Sequence, residues 1–314
     1  MAQPANTFDS YDAVGNREDL SDIITMISPT DTPFMSGISR RAITSTKPEW
    51  QTDALAAASS SNAVIEGDDA TTDASTPTTR LFNYAQTSDK VPRVSGIQRA
   101  VNSAGRGDEM AYQLMLKAAE LKTDIEAQML SNTAQVAGNS ATAAVSGSVL
   151  SYIATNDDFG GGGASPTGDG SDVRTDGTQR AFAEADLKSV LAACYDAGGN
   201  PDTIMVGAFN KQAASAFTGN ATRYVAAGEK TIQGAIDVYV GDFGDLVIVP
   251  NRFMRSRDCL VLEMDKWEFG VLRDFESTPL AKTGDTDREQ LLVTYSLISL
   301  NEAASGAVFD LTTS

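Results

Sequence analysis

The strongest constraint on the fold is the segment Asp108 to Ser131, a run of 24 residues without Gly or Pro in which helix formers dominate. Ala111, Leu114, Ala118, Leu121, Ile125 and Met129 recur at intervals of three or four, which lines them along one helical face. At 1.5 Å per residue the segment is a rod about 36 Å long. A rod with one apolar seam suits a helix lying across a sheet.

Strand signals flank it. Lys47-Pro-Glu-Trp-Gln-Thr reads as a short strand. Arg80 to Val101 alternates in patches, and Pro92 assigns it to an edge or a bulge, because proline removes a ladder donor. Between them, Ala, Ser, Thr and Asp supply 21 of the 30 positions in 51–80, which leaves little apolar surface to bury. The simplest reading of 42–104 is a long, mostly exposed hairpin arm. Residues 132–180 are rich in Gly, Ser, Thr and Asp, with a glycine run at 160–163. They read as a surface insertion or flexible loop whose only apolar patch is 147–156.

A second compact region starts near Phe182. Leu187, Val190, Leu191 and Cys194 mark an amphipathic helix with Gly198-Gly199 as its C-cap. Thr203–Val206 is a short buried strand, Phe209–Phe217 is helical, and Ala235–Val240 pairs with Asp245–Val249 around Asp242-Phe243-Gly244. Strands are expected over Cys259–Met264, Trp267–Leu272, Glu289–Leu300 and Ala307–Leu311. Helices and strands mix without a βαβ rhythm, which gives the α+β class.

Near the start, Arg17 to Phe34 reads REDLSDIITMISPTDTPF. Leu20, Ile23, Ile24 and Ile27 share one helical face, with acids in the first turn where the helix dipole favours them. Ser28-Pro29 stops that helix. Thr30, Asp31 and Thr32 offer turn oxygens, and Pro33 stiffens the exit. Burying four such side chains is worth roughly 1.5–3 kcal/mol each. The flanks are polar, so the stripe is expected to dock on something distant in the chain or on another chain.

Composition removes whole classes of chemistry. The chain has 42 acidic and 24 basic side chains, a formal charge of −18 and no histidine. Strong phosphate gripping is disfavoured. Ser-His-Asp and Cys-His nucleophile systems are excluded, as is any zinc site containing histidine. Cys194 and Cys259 each lie in an apolar run and read as buried thiols. MAQPANTFDS lacks the basic start and apolar run of a secretory signal, and no stretch has the ~18 apolar residues of a membrane span.

Short motifs add little. The glycine run lacks the Lys-Ser/Thr and the helix of a phosphate loop. Asp169, Asp172 and Asp176 lack the spacing of a calcium loop. Asp242-Phe243-Gly244 has no kinase context. The backbone N–H groups that open the helix at 209 could face an anion, but no fingerprint accompanies them, and ordinary packing is the reading. No carboxylate pair stands where a raised pKa is expected, so glycosidase chemistry has no support. Arg252, Arg255 and Arg257, with Arg40-Arg41, form the basic clusters; ion pairs to acids, including those of neighbouring subunits, fit them better than nucleic acid. No cofactor or metal site is expected.

Two long projections and no catalytic constellation point to a self-assembling structural protein. At this point a resemblance fits. NREDLSDIITMISPTDTPFMSGI (16–38), EWQTDAL (49–55) and GRGDEMAYQLMLKAAELKTDIEAQML (105–130) resemble the major capsid proteins of tailed bacteriophages, of the Hong Kong 97 type of fold. So do AGGNPDTIMVGAFNKQ (197–212), DVYVGDFGDLVIVPNRF (237–253) and PLAKTGDTDREQLLVTYSLISLNEAASGAVFDL (279–311), in family order. The main departure is 131–180, whose Gly-rich stretch is only weakly family-like.

The resemblance implies an N-terminal arm (1–41) and an extended loop lying over a neighbour (42–104). It implies a spine helix and peripheral domain with a Gly-rich insertion (105–181), an axial domain (182–255) and peripheral strands (256–314). Copies would form hexamers and pentamers of an icosahedral virion shell, made in the host cytoplasm, around double-stranded DNA. Scaffolding, portal and decoration proteins are the implied partners, without membrane or specific nucleic-acid binding. Lys47 and Lys90 lie on the extended loop, but no pattern supports covalent cross-linking. Arg17, Leu20, Ile23, Ile24, Ile27, Pro29, Pro33, Phe34, Arg252, Arg255 and Arg257 are the expected assembly contacts. An encapsulin-type compartment with the same fold, and a soluble α+β binding module or enzyme, are the competing readings.

Overall fold

The computed structural model describes residues 28–69, 74–101, 107–217 and 237–313. In chain order the first half holds α1 (Pro33–Gly37), β1 (Ser39–Ala42), β2 (Glu49–Thr52), β3 (Thr79–Phe82), β4 (Gln86–Lys90), β5 (Arg93–Ser95), α2 (Gly96–Ala100), α3 (Glu109–Met129) and β6 (Asp157–Asp158). The second half holds α4 (Glu184–Asp196), β7 (Thr203–Val206), α5 (Ala208–Ser215), β8 (Val238–Gly241), β9 (Gly244–Pro250), β10 (Cys259–Leu262), β11 (Trp267–Pro279), β12 (Thr286–Ser299) and β13 (Gly306–Val308).

The expected rod is α3. Asp108 caps it by accepting from the Met110 N–H at 3.0 Å. Leu121, Ile125 and Met129 are buried in the core, and Leu114 and Ala118 pack against it. At the first turn the seam uses Met110, while Ala111 is exposed. The sheet beneath is ordered β1-β11-β12-β4, with β5 pairing the far end of β12. Pro92 falls in the gap between β4 and β5, where the ladder has no donor to lose.

A second sheet is ordered β6-β13-β10-β7-β9-β8. Its central strands alternate between two cores, as the period of two requires. Leu260 and Leu262 of β10 and Met205 of β7 face the core beneath α3. Cys259 and Val261, with Ile204 and Val206, face a second core closed by Leu187, Val190, Leu191 and Cys194 of α4. Both cysteines are buried free thiols. The strands after residue 256 therefore divide: β11 and β12 build the sheet under α3, while β10 and β13 join the strands of 203–250.

The exposed hairpin is shorter than 42–104. β2 and β3 pair antiparallel, and the described residues between them are exposed. The chain then re-enters the body, because β4 and β5 both pair with β12.

The larger correction concerns 132–180, which is not only a surface insertion or loop: 136–143 are exposed, but the segment also enters the core. Val149, Leu150, Tyr152 and Ile153 are buried in the main core. The Tyr152 hydroxyl donates to the Phe82 carbonyl at 2.9 Å, and its ring lies 5.9 Å from that of Trp50. Several of the glycines serve close packing. A Cβ on Gly160 would overlap the Thr178 carbonyl, and one on Gly177 would stand 2.5 Å from the Gly160 carbonyl. Gly160→Ala should lower stability by about 1–3 kcal/mol, read as a fall in the thermal midpoint. An unchanged midpoint would mean that this segment yields freely.

Candidate functional site

Two buried polar assemblies join distant parts of the chain. The first lies at the root of the N-terminal segment. Pro33 does not merely stiffen a turn; it opens α1, where its missing N–H and fixed φ suit the first helical position. Phe34 is fully buried and meets Trp267 edge-on at 6.4 Å. β1 then pairs in parallel with β11. The carboxylate of Glu126, on α3, accepts from the Phe34 and Met35 N–H groups, both at 2.8 Å, and from Asn251 Nδ2 at 2.7 Å. Burial raises the Glu126 pKa above the usual carboxylate value, although the bonds from Met35, Phe34 and Asn251 pull the other way.

The second assembly centres on Asp310. Its carboxylate accepts from Arg174 Nη2 at 2.9 Å, Arg257 Nη2 at 2.7 Å, Gly177 N–H at 2.9 Å and Gly160 N–H at 3.1 Å. Arg174 is fully buried, with its guanidinium 4.0 Å above the Phe309 ring. Asp176 binds Arg174 and Arg255, each at 2.6 Å, and Arg257 at 3.1 Å. Burial opposes the charge of Asp310, but the bonds from Arg174, Gly177 and Gly160 outweigh it and hold its pKa below normal. Asp310 has φ 61°, a left-handed conformation that Asp tolerates better than most residues.

Asp258 is the exception in this cluster. It lies 3.3 Å from Arg255, yet neither of its oxygens accepts a hydrogen bond among the described residues. Burial pushes its pKa up to about 6, against the pull of Arg255 and Arg174. Raised carboxylate pKa values therefore do occur here, at acids the sequence expectation about carboxylate pairs did not cover. They arise from burial at single sites, not from a pair flanking a cleft.

Of the expected assembly contacts, Arg17, Leu20, Ile23, Ile24 and Ile27 lie outside the described residues. Pro29 is exposed and Pro33 half-buried. Phe34 belongs to the chain's own core, because Trp267 and α3 enclose it. Arg255 and Arg257 are engaged within the chain by Asp176, Asp258 and Asp310. Arg252 is exposed and has no ion pair among the described residues. Arg40 and Arg41 reach Asp274 and Glu268 at 3.0 and 3.3 Å.

Other motifs find structural uses. Asp169 accepts from the Ser171 N–H, and Asp172 from the Thr167 N–H. Asp242-Phe243 turns the β8–β9 hairpin. A cleft of about 350 Å³ beside the start of α3 is lined by Arg99, Lys282 and Asp287, among others. Asp287 already pairs with Arg99 and with Lys282, each at 2.5 Å. No helix among the described residues is long and apolar enough to cross a membrane.

The sequence matches the family of the SU10 major capsid protein over residues 3–312. The chain belongs to that family. It is similar to the major capsid protein of Escherichia phage Phieco32, 29% identical over 348 aligned positions that cover 98% of each chain. Solved structures share the fold at low identity. A chain of Mycobacterium phage Adephagia matches with TM-score 0.63 and 12% identity, covering 98% of this chain and 99% of that one. A chain from the capsid of a native GTA particle matches with TM-score 0.60 and 12% identity, covering 96% and 97%. This is a tailed-phage major capsid protein of the Hong Kong 97 type, and copies of it form the head shell of the virion.

Two outcomes follow for the charged cluster of this capsid protein. Arg174→Met should cost the subunit about 3–5 kcal/mol, because it leaves buried carboxylates short of a cation. A denaturant midpoint equal to wild type would contradict this. Asp258 binds its proton more tightly when folded, with a pKa of about 6 against an ordinary 3.8. Its contribution to stability is full below the lower value and lost as pH rises through the upper one. Asp258→Asn should therefore gain roughly 1–3 kcal/mol relative to wild type between pH 4 and pH 7. Parallel stability–pH curves for the two proteins would refute it.

Proposed function

We propose that this subunit builds hexamers and pentamers of an icosahedral shell around double-stranded DNA, and that it does so through two projections. The observation that carries this reading is the β2–β3 hairpin. Leu55, Val64 and Ile65 on it are 99%, 85% and 76% exposed, and none of the described residues of the subunit covers them. Apolar side chains displayed on a projection favour a partner surface. In a shell that surface is another copy, over which the extended loop would lie.

Residues 1–41 form the N-terminal arm in this reading, rooted by α1 and β1 in its own subunit. The stripe Leu20, Ile23, Ile24 and Ile27 docks on a neighbouring copy. Residues 105–181 and 256–314 serve as the peripheral domain and 182–255 as the axial domain, with β10 and β13 bridging them. Of Arg252, Arg255 and Arg257, Arg252 is the one left for an intersubunit pair. The charge of −18 suits a wall that must not hold packaged DNA by specific contacts. The subunit catalyses no reaction and uses no cofactor. It is made in the host cytoplasm and meets scaffolding, portal and decoration proteins there. Decoration proteins accompany the major capsid proteins of phage G, whose fold is similar, with TM-score 0.55.

Ile23→Asp combined with Ile27→Asp should block assembly in negative-stain images while the subunit keeps its cooperative melt. A variant that loses the melt would place the stripe in the subunit's own core instead.

A further inference from the structure

We infer that Glu126 is a positioning residue for assembly: it fixes where and in which direction the chain upstream of Thr32 leaves the body. The inference rests on the reading that this upstream segment docks on another copy. Four observations carry it. Glu126 is fully buried. No cation pairs with it among the described residues, so its solvation is replaced by hydrogen bonds alone. Those bonds come from both free N–H groups of the α1 first turn, whereas Thr32, the residue before α1, makes no side-chain cap. The third bond comes from Asn251, itself fixed by its N–H to the Val206 carbonyl at 2.9 Å and by its Oδ1 to the Phe253 N–H at 2.8 Å.

One carboxylate thus sets the root of the arm against α3 and against the β7–β9 ladder together. A carboxylate is the required chemistry, because all three partners are donors. Oε1 accepts from Phe34 and Asn251 and Oε2 from Met35. An amide must turn its NH2 toward at least one of them.

Glu126→Gln in the full chain tests this. Amide hydrogen exchange at Phe34 and Met35 should quicken about tenfold or more, and the assembly rate by light scattering should fall by a similar factor, while the cooperative melt persists. Unchanged exchange overturns the inference. So does faster exchange with an unchanged assembly rate. If the variant does not fold, Asn251→Ala, which removes one bond and leaves the carboxylate, should shift both readouts in the same direction, and a null result there overturns the inference equally. The Ile23→Asp/Ile27→Asp chain separates the two ideas. If it assembles normally, arm docking fails and the assembly role of Glu126 fails with it. Exchange at Phe34 and Met35 then still reports whether Glu126 holds the root.

Discussion

The carboxylate of Asp310 is the interaction on which the body depends. It gathers Arg174, Arg257 and the N–H groups of Gly160 and Gly177 at one buried point. It adds to the β6–β13 pairing and to the burial of Val149 to Ile153 in holding a glycine-rich stretch against the C-terminal strands. That stretch closes over β13 and carries Val149 to Ile153 into the core beneath α3. The charges cost desolvation, and they are tolerated because each guanidinium meets carboxylates, and Arg174 also covers the Phe309 ring. Asp258, which has no donor of its own, marks where the cluster is least satisfied.

From that anchor the two sheets become one body. β10 and β7 give alternate side chains to two cores, so neither sheet can move without disturbing the other. A rigid body of this kind can carry projections that are not self-sufficient. The β2–β3 hairpin leaves one edge with its apolar residues exposed among the described residues, and Glu126 holds α1, where the N-terminal segment joins the body. For a shell subunit the division is physically sensible: a stable block first, with partner-seeking segments hung from fixed points.

Much of the frame was legible in the sequence, because it is written in periodicity. The seam of α3, the α4 stripe, the buried strand β7 and the β8–β9 hairpin all follow from spacing and turn residues. The failures share a cause: they depend on contacts between residues far apart in sequence. Glu126 reads as one more helix acid among Glu120 and Asp124, and nothing local says that α1 lacks a cap 92 residues away. Arg174 and Asp310 are 136 residues apart, so their pairing has no local signature. The glycine run at 160–163 looks flexible in a string, yet a Cβ on Gly160 or Gly163 would overlap its neighbours, and Gly162 takes a positive φ. Phe34 looked like the end of an exposed arm because the sequence does not show Trp267 beside it. Arg255 and Arg257 read as available to neighbours because Asp176 and Asp310, which bind them, lie in distant segments.

The central claim is that the body is complete within one chain and that its projections are completed by other copies. The most direct measurement is a cryo-electron microscopy map of the assembled shell at side-chain resolution. The account predicts density for Leu20, Ile23, Ile24 and Ile27, and for Leu55, Val64 and Ile65, packed against a second copy, with the Asp310 cluster intact inside each subunit. A map in which both segments fold back onto their own subunit, and neighbours touch only through the body, would contradict it.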